Sequence, residues 1–158
     1  ESDKAESESA PREDSEKAAE AYQKFYVTHQ RQMDLTVQEL RNRVRNSASA
    51  TSTELARLAA LDALLADLTT SHSRSCYGVI PGLLREHYER LQRDSTAADS
   101  QVAPNRQGLP PYVEQFCDDM RAALLAEIDD RLLPVLGLVE AINLRFMSTT
   151  PNTPARMR

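Results

Sequence analysis

Apolar side chains recur at threes and fours along most of this chain, and that spacing admits little besides long α-helices packed on one another. In a first run, Tyr22, Tyr26, His29, Met33, Val37, Leu40 and Val44 share one face. In a second, Leu55, Leu58, Leu61, Leu65 and Leu68 do the same, and Ile80, Leu84, Tyr88 and Leu91 take the stripe up again. In a third, the stripe passes from Val113 and Phe116 through Leu124, Leu132 and Leu138 to Phe146. The residues between them agree: Ala, Leu, Glu, Arg and Gln are strong helix formers. Aromatics are 5% of the chain, Trp is absent and Gly occurs four times, which leaves little for the strands and turns of a sandwich or barrel.

The punctuation divides the 158 residues. Residues 1–14 are charged and Ser-rich, with too little apolar surface to offset ordering entropy, and read as a disordered acidic tail. A first helix is expected from near Ser15 to about Asn46, ended by NSASATS, with Arg41, Arg43 and Arg45 in its last turns against the negative end of its dipole. Thr51 and Glu54 have the spacing of a capping box that opens a second helix. That helix reads as one kinked rod over residues 52–93, bent where Gly78 and Pro81 weaken its ladder, although residues 69–81 also suit a loop. Residues 94–110 form a polar linker. A third helix starts at Pro111, a good first-turn residue, and Pro134 is expected to kink or break it. Residues 148–158, with two prolines, form a second flexible tail. The expectation is an all-α protein: an elongated antiparallel bundle of three long kinked helices over residues 15–147, coiled-coil-like, with rods about 45 to 60 Å long at 1.5 Å per residue. Such stripes also suit the seam between two copies, so a homo-oligomer is an open alternative.

Charge placement narrows the function. Residues 1–20 hold eight acids against three bases, which accounts for the whole formal net charge of −5. The rest is formally neutral, with no single-sign field to steer a nucleic acid. The one basic run, Arg41 to Arg45, alternates around the helix rather than forming a stripe, so a regulator that grips phosphates there is the lesser alternative. No run approaches the roughly 20 apolar residues of a membrane helix. Two cysteines are too few for a disulfide scaffold and the first residues are unlike a signal peptide, so a cytoplasmic location is expected.

Catalytic and metal motifs are missing where they would be recognisable. No phosphate loop, dinucleotide fingerprint, zinc-protease helix or nucleophile elbow is present. A di-iron bundle needs Glu-x-x-His pairs, and Tyr26, Thr69 and Leu84 stand three residues before His29, His72 and His87. His72 and Cys76 lie four apart, with Cys117 as a conceivable third ligand. A thiol or metal sensor there is a further alternative, against the plainer reading of two half-buried thiols and a surface imidazole. Tyr22, Phe25 and Tyr26 widen the apolar face of the first helix and are the candidate partner-binding patch. No enzyme and no cofactor is expected.

Four segments carry a resemblance: YVTHQRQMD (26–34), LARLAALDALL (55–65), VIPGLLREHYERL (79–91) and RLLPVLGLVEAIN (131–143). Together they resemble an uncharacterised proteobacterial family of small helical proteins, grouped as a domain of unknown function. The resemblance implies a bacterial protein without an assigned activity. Residues and resemblance together lead to the expectation of a helical adaptor or scaffold that acts by protein–protein contact or self-association.

Overall fold

A computed structural model of the chain describes residues 3–97 and 110–149, with side chains over 15–97 and 110–148. It is all-α, with no strand among the described residues. Helix α1 spans Asp3–Thr51, α2 Thr53–Gly78, α3 Ile80–Ala97 and α4 Pro111–Thr149. Since α2 and α3 meet at the single turn residue Val79, the three-helix reading stands, with the second helix broken at the expected place.

Several boundaries move. Helix α1 begins at Asp3, so its first turns take in residues assigned above to the acidic tail. It also runs through NSASA, and at its end Thr51 Oγ1 donates back to the Ser47 carbonyl at 2.8 Å. Thr51 is therefore not the cap of α2. Ser52 is: the Leu55 amide donates to its Oγ at 3.2 Å and the Ala56 amide to its carbonyl at 2.9 Å, which places Leu55, not Glu54, at the third helical position. Helix α4 opens at Pro111 as expected, with the Val113 and Glu114 amides donating to the Pro110 carbonyl. Pro134 sits inside α4 without ending it. Of the expected linker, residues 94–97 finish α3, and 98–109 lie outside the described residues, as do residues 150–158 of the expected C-terminal tail.

The chain divides into two compact units, the first of residues 1–33 and 72–128, the second of 34–71 and 129–158. In the first, α1 runs in the opposite sense to α2 and α3, because contacts descend those helices as they ascend α1. Glu16 meets Arg85, and Gln30 meets Tyr77. The core here is aromatic. Tyr22, Tyr88 and Phe116 form a triangle with ring centroids 5.1 to 5.5 Å apart, and Tyr112 joins Tyr88 at 6.0 Å; tilted pairs of this kind add to what area burial gives. Ala19, Leu84, Val113 and Met120 fill around them.

A buried polar centre completes this unit. Glu127 is 3% exposed. Its Oε2 accepts from the Tyr26 hydroxyl and from Gln30 Nε2, each at 3.0 Å. The same Gln30 nitrogen donates its second hydrogen to the Tyr77 carbonyl at 3.0 Å. That carbonyl is the one Pro81, four residues on and lacking an N–H, leaves unserved. The break between α2 and α3 is thus sealed by a side chain from α1.

The second unit has a different interior. Of the eight Tyr and Phe side chains in the sequence, only Phe146 belongs to it, and that ring is exposed. Ala48 of α1 packs with Leu55 and Ala59 of α2 and with Ala141 and Ile142 of α4. Alanines let the helices approach closely, and the branched side chains of Val37, Val135 and Leu138 are buried in the same unit.

Two outcomes are expected. Glu127→Ala leaves the Tyr26 hydroxyl and one Gln30 hydrogen without their acceptor and lowers unfolding free energy by about 2–3 kcal/mol, against about 1 for Tyr26→Phe, in urea titration; the double variant costs less than the sum. Burial first, then Tyr112 and Tyr22, push the Tyr88 phenol up to about 12. A folded state that holds the proton longer loses stability as pH climbs from the ordinary value of 10 toward 12. Tyr88→Phe should flatten that alkaline decline, read by thermal unfolding across the range.

Candidate functional site

The second helix carries more leucine than its unit can cover. Leu55 and Ala59 turn inward, and the next residues on the stripe do not. Leu58, Leu61, Leu64, Leu65 and Leu68 remain 38, 53, 62, 50 and 76% exposed. At 100° per residue these five span an arc of about 120°, set apart from the arc of Leu55, Ala59 and Asp62 that faces the core. The expectation that this stripe is packed away within the bundle fails here, because the alanine contacts at Ala48, Ala59 and Ala141 consume the inner face. Helix α4 repeats the arrangement: Val135 and Leu138 are buried while Leu133, Leu136, Leu144 and Met147 face outward. A helix apolar on both faces is one whose second face is ordinarily covered.

The position of α2 is fixed by charge. Asp62 receives Arg41 through its Nε at 2.8 Å and through Nη2, and Arg45 through Nε at 2.6 Å. Arg45 Nη2 also donates to the Asp62 carbonyl at 3.1 Å. Burial alone would raise the Asp62 pKa; the hydrogen bonds and charges of the two guanidiniums outweigh it and hold the carboxyl below its ordinary 3.8. Since α1 continues past both arginines to Thr51, the dipole reading of the basic run does not hold, and the ion pair replaces it. A phosphate grip loses the same two arginines; Arg43 alone of the three is exposed. Further pairs support the unit: Arg131 to Asp34 at 2.7 Å and Arg145 to Glu54 at 3.2 Å.

The other sequence candidates are placed as follows. Of the aromatic patch, Tyr26 is 0% exposed and Tyr22 is half-buried in the ring cluster. Only Phe25 presents surface, with its ring 4.0 Å from that of His29. The patch is core because Glu127 gives the Tyr26 hydroxyl an acceptor indoors. His72 and Cys76 do meet, Nε2 to Sγ at 3.5 Å on the surface of α2. Cys117 instead lies against the aromatic core, beside Tyr22. Among the described residues no three His, Cys, Asp or Glu side chains group to hold a metal ion.

One pairing was not legible in the sequence. His87 Nε2 donates to Asp119 at 2.8 Å while Arg90 Nη2 donates to its Nδ1 at 2.9 Å. Both ring nitrogens are committed, so this imidazole has no lone pair left to take a proton from a substrate. Arg90 stands three residues on in α3, but Asp119 lies on α4, beyond the reach of any local pattern.

The family model described as "Protein of unknown function (DUF3348)" matches residues 1–144. No curated protein and no solved structure shows a significant match to the chain. Among the described residues no helix is long and apolar enough to cross a membrane.

Asp62→Asn is expected to cost about 1–3 kcal/mol at neutral pH, since two half-buried guanidiniums lose their counter-charge. The depressed pKa sets the sign in acid. The stabilisation is complete above the ordinary carboxylate value and is lost as pH falls through the lower folded-state value. The variant's acid-unfolding curve should therefore be flatter than the parent's below pH 4.

Proposed function

We propose that this chain, which belongs to the DUF3348 family of proteins of unknown function, works as a non-enzymatic helical adaptor or scaffold. One observation carries the reading: α2 and α4 are apolar on the face turned away from their core, with Leu58, Leu61, Leu65 and Leu68 on one and Leu133, Leu136 and Leu144 on the other. Scattered surface leucines need no explanation, but leucines repeated on one helical face for about three turns form a surface that water disfavours and another protein surface relieves. The partner is a protein with an amphipathic helix or groove, or another copy of the chain, because a stripe at threes and fours matches a facing helix.

The polar chemistry of the bundle supports binding more than turnover. The strongest polar constellations, at Asp62, Glu127 and His87, have their acceptors and donors committed to neighbouring helices. A reducing cytoplasm suits the free thiols of Cys76 and Cys117, the first of them exposed.

Photo-crosslinking in the source cell tests this. An unnatural photoreactive residue at Leu61 or Leu136 should give discrete protein adducts that the same residue at exposed Glu114 does not. Equal, diffuse labelling at all three positions would dismiss the reading.

A further inference from the structure

We infer that the leucine face of α2 is covered by the same face of a second copy, the two helices running antiparallel. The inference rests on the adaptor reading and assigns its partner. On α2 taken by itself, Glu54, Leu58, Leu61, Leu65, Leu68 and His72 follow one another at spacings of four, three, four, three and four. That is the a and d spacing of a heptad seam, and it reads the same in either direction about Ala63. All six side chains belong to α2, and none of them is buried: the leucines keep the exposures given above, Glu54 is 71% exposed and His72 lies at the surface.

Laid antiparallel on a copy of itself, this row places Leu58 opposite Leu68 and Leu61 opposite Leu65, four leucine layers in all. The same register brings Glu54 of one copy to His72 of the other at each end. A parallel pair would instead set Glu54 against Glu54 and His72 against His72. The pattern of charge therefore selects the antiparallel arrangement. Arg145, 3.2 Å from one Glu54 oxygen, leaves that carboxylate with lone pairs for an imidazole N–H. His72 touches Cys76 through Nε2, which leaves Nδ1 for the carboxylate.

The area sets the strength. The four leucines of the row at these exposures offer about 350 Å² per copy, or roughly 700 Å² across the pair, with the stems of Glu54 and His72 adding to it. That is below the standard size of stable interfaces and in the class of weak, transient ones, so the dimer is reversible, with dissociation in the range of about 10–100 μM or weaker.

Sedimentation velocity of the full chain from about 1 to 300 μM tests the inference. The parent should pass from one to two chains as concentration rises. Leu61→Glu with Leu65→Glu, both at exposed positions, should stay at one chain, with helicity by circular dichroism unchanged. His72→Glu faces Glu54 with a like charge and should weaken association about tenfold or more; adding Glu54→Lys should restore it. A parent that stays monomeric throughout overturns the inference, as does a dimer indifferent to the leucine changes. A dimer that needs the leucines but ignores the charge swap overturns the antiparallel pairing. If the chain is monomeric and photo-adducts from Leu61 contain a different protein, this inference falls while the adaptor reading stands.

Discussion

A carboxylate out of water must be answered by donors, and Glu127 is answered from the helix that packs beside it. Tyr26 and Gln30 lie four apart, one turn of α1, so a single face of that helix delivers both donors to one oxygen. Gln30 then spends its remaining hydrogen on the carbonyl that Pro81 orphans. Three requirements meet there: the burial of an acid, the placing of α1 against α4, and the repair of the break after α2. The aromatic cluster gathers in the same unit, and no buried side-chain nitrogen or oxygen among the described residues lacks a partner. Large rings supply the burial, and the network fixes which helix faces meet.

The second unit is held by a different balance. Its interior is built on Ala48, Leu55 and Ala59, with Val37, Val135 and Leu138 also buried, and an ion-pair cluster at Asp62 sets how α1 and α2 sit. Close alanine packing and charge fix geometry well but bury little area. The leucines that might have thickened the core lie instead on the outer faces of α2 and α4. Both units leave apolar side chains exposed, Leu83 and Leu125 in the first among them, but the leucines that follow one another along a single helical face lie on α2 and α4 in the second.

Helix content was legible because periodicity is a local property. The three stripes, the start at Pro111 and the bend near Gly78 and Pro81 all follow from spacing and from the missing N–H of proline. Boundaries were less so. NSASATS reads as a breaker by composition, yet the Thr51 hydroxyl turns back on the Ser47 carbonyl and α1 continues to Thr51. Pro134 suits a kink or a break, and α4 carries it within a single helix from Pro111 to Thr149, so the break is the part that does not hold.

The roles of individual side chains divide along the same line. The sequence by itself determined that the chain is helical and that its apolar residues fall on faces, because each of these rests on residues within a few turns of one another. Only the tertiary structure decided that Tyr26 is core, that Arg41 and Arg45 answer Asp62 rather than the helix dipole, that His87 pairs with Asp119, and that Leu58 to Leu68 face outward. A stripe declares that a face is apolar; whether that face is covered depends on how much of it the neighbouring helices reach, and close packing at alanine leaves half of it bare.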